Sequence, residues 1–400
     1  MNKINKDWKE VKLGDIVDIT MGQSPKSEFY NKRNEGMPFL QGSATFGFMH
    51  PYFETYSSDI KKIAINGSVL MSVRAPVGDL NIANADVCIG RGLCSINGKS
   101  NIINRYIFYL LSYYKPKLLN MQKGTTFGAI TKDDILNFKV LIAEDIEEQK
   151  RIASALSKID AYLENTIKLI EEKERFKRGI AKKLLTCKEG ENIPEARFKG
   201  FEDEWMEVAI SKIGTIITGN TPSTKNESFW NGNNVWVTPT DVKQKYISNS
   251  ERKLTDDGLK KSRKLPANTL LITCIASIGK NAILKCEGAC NQQINAIIPN
   301  KNYNVDFLYY LFENEKSYLK FKAPQSVIKI MSKSEFSKLV FKFPLLEEQE
   351  KIGEYLSLLD KEIDNLKKQK ELIKEMKIGA MQKLLSGEVR LSKNAFNENI

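Results

Sequence analysis

The sequence predicts an α+β fold: two similar mixed α/β domains separated by two long antiparallel coiled-coil helices, forming a pseudo-twofold internal repeat. Three observations predict it. Trp8-Lys9-Glu10-Val11 returns as Trp205-Met206-Glu207-Val208, Gly22 and Pro25 return as Gly219 and Pro222, and Gly78 and Ile96 return as Gly279 and Ile297. The offset between the copies stays between 197 and 201 residues, far longer than the roughly 20–50 residues of a solenoid unit. Finally, each copy closes with an apolar seam at heptad spacing, opened by Glu147-Glu148-Gln149 or Glu347-Glu348-Gln349 and closed by Lys183-Leu184-Leu185 or Lys383-Leu384-Leu385.

The elements follow in order. Residues 1–146 form the first domain, where short β-rich runs alternate with Gly- and Asn-rich loops. Val69–Val73 reads as a strand ending in a turn at Gly78, Tyr106–Tyr114 as a helix, and Phe138–Ile142 as a closing strand. Residues 147–186 form the first long helix, with Asp145 and Glu148 placed as a capping box at its start. Its seam is Ile152, Leu156, Ile159, Leu163, Ile170, Ile180 and Leu184, interrupted by Thr166, Lys173 and Lys177. Residues 187–204, with Gly190, Pro194 and Gly200, read as a polar linker.

Residues 205–346 repeat the domain, with a strand at Leu270–Ile275, a turn at Gly279, a helix over Phe307–Tyr318 and a closing strand at Leu339–Phe343. Residues 347–386 repeat the helix, with the seam Ile352, Leu356, Leu359, Ile363, Leu366, Ile373, Ala380 and Leu384. Residues 387–400 form a tail similar in character to the linker. A helix of some 40 residues is roughly 60 Å long and cannot leave such a stripe in water. Because a domain lies between the two helices, they are expected to pair with each other in antiparallel fashion. Pairing between two copies of the chain is the alternative.

Composition narrows the function. Lys and Arg number 61 against 49 Asp and Glu, a net charge of +12, which favours a polyanionic partner, nucleic acid before an acidic membrane surface. No apolar run approaches the roughly 18 residues of a membrane span, and the first residues lack a secretory apolar core. Six cysteines and a single histidine, His50, match no common zinc spacing, and the pairs Cys88/Cys94 and Cys286/Cys290 read as buried thiols of a reducing cytoplasm. No metal site is expected. Catalytic patterns are also missing. Gly92 to Gly98-Lys99-Ser100 has one residue too many for a phosphate-binding loop, and there is no Pro-Pro dipeptide as in amino-methyltransferase signatures. Asp160 with Glu171 and Lys173, and Asp360 with Glu375 and Lys377, resemble a nuclease triad only superficially, because they lie along the long helices as a solvated face. No catalytic residue is assigned.

What remains is binding equipment carried twice. The first loop offers Gln23, Ser24 and Lys26 in one domain, and Asn220, Thr221, Ser223, Thr224 and Lys225 in the other. The second offers Gln41 and Ser43 against Thr238 and Thr240, and the third Arg74 against Ser277 and Lys280. A fourth holds Lys123, Thr125 and Thr126 against Lys322, Gln325 and Ser326, and Arg91 stands between Gly90 and Gly92. Amide and guanidinium side chains suit base edges, while hydroxyls and ammonium groups suit phosphates. Each residue is also an ordinary turn residue. The duplicated scaffold with divergent loops is what two readers of two different half-sequences require. A non-catalytic duplicated scaffold that binds proteins or sugars without DNA selectivity is the alternative.

The paired Trp-x-Glu-Val starts, the Gly-x-x-Pro loops, the strand–turns over Ser72–Gly78 and Thr273–Gly279, the Glu-Glu-Gln and Lys-Leu-Leu helix ends and the Phe198-Lys199-Gly200-Phe201 approach occur here in duplicated order. In this, and over essentially its whole length, the chain resembles a specificity subunit of type I restriction–modification systems. The resemblance implies two target-recognition domains, each reading half of a bipartite, gapped double-stranded DNA site, with the helices as spacer. It implies docking of two methyltransferase subunits, and of restriction–translocase subunits for cleavage. It also implies that S-adenosylmethionine, ATP and Mg serve only those partners, and that this chain needs no cofactor and carries out no chemistry. The copies differ where Arg74 faces Ile275-Ala276 and Asp79 faces Lys280, so DNA contacts do not transfer one-for-one between them.

Overall fold

The computed structural model describes residues 8–120, 129–323 and 330–391. The chain divides into two compact units, Met1–Lys168 with Lys368–Ile400, and Leu169–Lys367. Each unit therefore takes a recognition domain, part of one long helix and the opposite part of the other.

In the first unit, Trp8–Lys12 pairs antiparallel with Lys139–Ala143, so the closing strand returns beside the opening one. A four-stranded antiparallel sheet runs in the order Val17–Met21, Leu93–Gly98, Val69–Ser72, Leu80–Ile82. A second sheet has Met37–Leu40 parallel to Val87–Ile89 at its centre. Helix Asn104–Asn120 supplies Tyr106, Ile107, Tyr109, Leu110 and Leu111 to the main core, together with Val69, Met71 and Ile96 from the first sheet. The second unit repeats the order. Met206–Ala209 pairs with Val340–Phe343, and five strands run Gly214–Thr218, Ile294–Pro299, Thr269–Thr273, Asn281–Leu284, Tyr246–Ile247. Trp230–Val237 lies parallel to Gly288–Cys290. The single helix expected over Phe307–Tyr318 is two, Val305–Asn314 and Lys316–Lys322.

The long helices span Ile146–Leu185 and Leu346–Leu385. All the seam positions are buried or half-buried. Within the first unit, Ile152 and Leu156 share a core with Leu384 and Leu385, and within the second Leu184 and Leu185 share one with Ile352, Leu356 and Leu359. Early residues of one helix thus meet late residues of the other inside each unit, which is antiparallel pairing within one chain.

Two readings of charge are corrected by the packing. Glu148 does not turn back as a capping box. Asp145 Oδ1 accepts instead from the Glu147 N–H at 3.0 Å, and the buried Glu148 carboxylate takes a bidentate bond from Arg390, Nε to Oε1 at 3.0 Å and Nη2 to Oε2 at 2.6 Å. Glu348 is clamped in the same way by Arg197, at 2.9 and 2.7 Å, and also accepts from Trp205 Nε1 at 3.2 Å. The adjacent glutamines are buried pins: Gln149 Nε2 donates to Ala143 O at 2.9 Å, and Gln349 Nε2 to Pro344 O at 2.8 Å. A carboxylate inside the first helical turn also sits favourably against the helix dipole.

The second correction concerns Asp160 and Asp360, which are not a solvated face. Asp160 is 2% exposed, accepts from Tyr109 OH at 2.8 Å, and lies 2.5 Å from Lys377 Nζ. Asp360 accepts from Tyr310 OH and pairs with Lys177. Two lysines that break the heptad seam, Lys177 and Lys377, are therefore partners for aspartates across it, and a third, Lys173, pairs with Glu362.

Candidate nucleic-acid interface

The first-domain loops converge. The backbone of Gly22-Gln23 joins the sheet edge through Gly22 N to Leu93 O and Gln23 N to Ile89 O, both 2.9 Å. Gly90 N donates to Leu40 O at 2.8 Å, which brings the turn at Arg91 against the start of the Gln41 loop. Ser24 ties the three loops together. Its hydroxyl accepts from the Arg91 N–H at 3.1 Å and donates to Gln41 Oε1 at 3.1 Å. Gln23, Gln41 and Arg91 are exposed above this knot. Arg74 is exposed beside it, since Val73 N donates to Gly92 O at 2.9 Å. Lys26 is exposed and 3.6 Å from Glu28. Ser43 is turned aside, donating to Asp79 Oδ2 at 3.2 Å in a depression lined by Phe46, Phe108 and Lys115.

The second domain repeats the knot with other side chains. Gly219 N donates to Ile294 O and Asn220 N to Cys290 O, both at 3.0 Å, and Asn291 N donates to Val237 O at 2.9 Å. Thr221 stands where Ser24 does, and its hydroxyl donates to Gln292 Oε1 at 2.5 Å. Thr238 donates to Asp241 Oδ2 at 2.7 Å, with Thr240 Oγ1 2.8 Å from its own hydroxyl. Asn220 is spent on its own loop: Nδ2 donates to Lys261 O at 3.0 Å, and Oδ1 accepts from Arg263 N at 2.8 Å. This docks an exposed basic segment, Lys260–Lys264, beside the knot. Ser223, Thr224 and Lys225 are exposed, with the Ser223 carbonyl accepting from Trp230 Nε1 at 3.1 Å. Arg252 lies 3.9 Å above the Trp230 ring.

The strand–turns are alike in both domains. Ser72 Oγ donates to Pro76 O at 2.7 Å and accepts from Asp79 N at 2.8 Å, while Thr273 Oγ1 donates to Ser277 O at 2.5 Å and accepts from Lys280 N at 3.0 Å. Gly78 and Gly279, at φ of +80° and +87°, occupy the left-handed region that favours glycine. Ser277 is half-buried and Lys280 exposed. Lys322 is exposed at the end of its helix. Lys123, Thr125, Thr126, Gln325 and Ser326 lie outside the described residues.

Sequence reasoning missed Gln292, Arg263 and Lys245. Gln292 lies 201 residues beyond Arg91, the offset of Gly78 to Gly279, so the repeat itself could have found it. Lys245 carries the Thr238–Asp241 loop onto the second long helix, with Nζ 2.6 Å from Ser357 Oγ and 2.7 Å from Asp306 Oδ1. Burial pushes its ammonium below the usual lysine range, and the Asp306 carboxylate opposes that shift.

Elsewhere the chemistry is quiet. Burial pushes the Cys94 and Cys290 thiols up to about 12, which suppresses thiolate reactivity. Among the described residues, no group of three or more His, Cys, Asp or Glu could hold a metal ion, and no helix is long and apolar enough to cross a membrane.

The Gly-x-x-Pro glycine is required by close approach. A Cβ on Gly22 would stand 2.2 Å from Gly90 O, and one on Gly219 would stand 2.2 Å from Cys290 O, both backbone atoms. Gly219→Ala is expected to push the 290–293 turn away and to cost about 1–3 kcal/mol. Thermal unfolding checks this, and an unchanged Tm would mean that the turn yields freely.

The model of the type I restriction modification DNA specificity domain matches the chain twice, over residues 5–172 and 202–375. The putative MjaX specificity subunit of Methanocaldococcus jannaschii is 44% identical over 47% of the chain. The match spans 45% of that relative, less than half its length. At full length, the HindI specificity subunit of Haemophilus influenzae is 29% identical, with 96% of this chain and 100% of that one covered. The crystal structure of the type I restriction–modification S subunit from M. genitalium shares the fold at a TM-score of 0.62 and 17% identity, covering 96% of this chain and 97% of that one. Two matched domains, in the order that the duplicated knots follow, place this chain in the type I restriction–modification DNA specificity family.

Proposed function

We propose that this chain is the non-catalytic DNA-reading subunit of a type I restriction–modification enzyme. Each recognition domain reads one half of a bipartite, gapped double-stranded site, and the lengths of the two long helices set the gap. The observation that carries the reading is the pair of equivalent knots, one per domain, built on the same backbone bonds but tipped with different side chains. A single protein needing one DNA grip would have no use for two divergent tips on a conserved frame. Asn220 acts here as a strut, and Thr238 and Thr221 as anchors, while Gln23, Gln41, Arg74, Arg91 and Gln292 face the duplex. The exposed lysines, including Lys26, Lys225 and Lys280, grip phosphates.

In this reading two methyltransferase subunits dock on the chain, and translocase–nuclease subunits join for cleavage. S-adenosylmethionine, ATP and Mg belong to those partners. The assembly works in the cytoplasm, where bacterial or archaeal DNA lies.

Methylome sequencing of cells carrying the chain with its methyltransferase, against cells lacking the chain, tests the proposal. A new gapped motif is expected; no new motif despite a verified complex between the two proteins would sink it. Inserting one heptad in both helices adds about 10 Å to each, so the gap in the motif is expected to widen by about three base pairs. An unchanged gap would show that the helices are no ruler.

A further inference from the structure

The two knots share a frame and differ in the residue at the tip of the turn that closes it. Leu93 N to Gly90 O at 3.0 Å and Ile294 N to Asn291 O at 3.2 Å close the same tight turn, and the Gly22/Gly219, Gln23/Asn220 and Gly90/Asn291 amides hold it to the same strands. The residue at the tip is Arg91 in the first domain and Gln292 in the second, and both are exposed. In each domain the hydroxyl at the Ser24/Thr221 position fixes that tip, from the backbone side in one and the side-chain side in the other.

Resting on the reading above, we propose that this tip is a specificity-determining position, with Arg91 selecting guanine in one half-site and Gln292 selecting adenine in the other. The chemistry follows from the donors each tip presents. Arg91 has its backbone N–H committed to Ser24, and its guanidinium makes no hydrogen bond or ion pair among the described residues. A guanidinium is a fork of donors with no acceptor, so it complements a base edge made only of acceptors, O6 and N7 of guanine. Gln41 adds to it, because Ser24 takes one lone pair of its Oε1 and its amide nitrogen keeps two further N–H donors.

Gln292 presents both functions. Thr221 takes one lone pair of Oε1 and sets the amide plane, leaving the second lone pair and two N–H donors. An acceptor beside a donor complements adenine, whose N6 donates and whose N7 accepts. The strut at Asn220 holds the Arg263 backbone beside this tip, and Arg263 itself is tied down by Nη1 to Thr218 O at 2.6 Å, so the variable reader is Gln292.

The test is the methylome of the full chain with its methyltransferase, in wild-type, Arg91→Gln and Gln292→Arg forms. The wild-type motif is expected to hold a fixed guanine in one half. Arg91→Gln should lower methylation of guanine-bearing sites roughly 5- to 150-fold relative to other bases at that one position, leaving the other half-site unchanged as an internal control of folding. Gln292→Arg should shift one adenine to guanine in the opposite half. If Arg91→Gln abolishes methylation, Arg91→Lys is expected to restore it with guanine retained, and its failure to do so overturns the assignment. A wild-type gapped motif that neither substitution alters overturns this inference and leaves the proposed function standing. Absence of any wild-type motif overturns both.

Discussion

Arg197→Ala is expected to destabilise the protein by about 3–5 kcal/mol, because it strips a buried carboxylate of its bidentate partner. Glu348 is 2% exposed as a side chain, and among the described residues only Trp205 Nε1 is left to donate to it. Glu348→Ala should cost less, since Arg197 is 13% exposed and keeps its bond to Asp203 O at 2.6 Å. The order of the two, not just their size, marks the pair as a clamp rather than a surface bridge, for which roughly 1 kcal/mol or less is usual. Calorimetry should record a Tm fall of about 6–20 °C for Arg197→Ala. A fall no larger than that of a surface substitution would mean that water reaches the carboxylate. The effect has consequences beyond stability, because the clamp joins the 187–204 segment to the first turn of a long helix.

The second large effect lies in the seam. Asp160→Ala removes the acceptor of Tyr109 OH and the counter-charge of Lys377, and is expected to cost about 2–3 kcal/mol. The loss is smaller than for the clamp, because the Lys377 side chain is 22% exposed and its ammonium can reach water. Replacing both Asp160 and Lys377 by leucine should recover most of the stability, since a well-packed apolar pair does as well as a buried ion pair. What the double variant loses is the polar layer that fixes the register of paired helices and their oligomeric state. Light scattering is expected to show self-association of the double variant at concentrations where the wild type stays monomeric. A strictly monomeric double variant with wild-type Tm would show that the domains alone hold the register.

Periodicity made the long helices and their seam legible in the sequence, because a heptad stripe constrains every third or fourth residue and occurs twice. The strand–turns were legible because Gly78 and Gly279 mark a backbone conformation few other residues adopt. The buried carboxylates were not legible. Asp145 with Glu148 has the spacing of a capping box, and nothing local says that Arg390 will claim the glutamate instead. The clamping arginines also stand at different distances from their helix ends, Arg197 twelve residues past Leu185 and Arg390 five past Leu385, so the repeat does not announce them. In the candidate interface, loop chemistry pointed to Ser24, Gln41 and Arg91, which the structure brings together. It also pointed to Asn220, whose amide is used up by backbone groups that only the fold places beside it. Gln292 was missed because its residue type differs from that of Arg91, so the 201-residue offset finds it only when position rather than residue type is compared.

The first unit is completed by residues 368–391, and the second by residues no later than 367. On a ribosome adding roughly 5–20 residues per second, the second unit is whole before the first, although its recognition domain is made later. Between the emergence of residue 168 and that of residues 368–391, roughly 10–40 s pass. During that interval Ile152 and Leu156 lack Leu384 and Leu385, and Glu148 waits for Arg390. Newborn chains thus carry an open apolar stripe for many seconds, the period in which neighbours on the same messenger can trade helices.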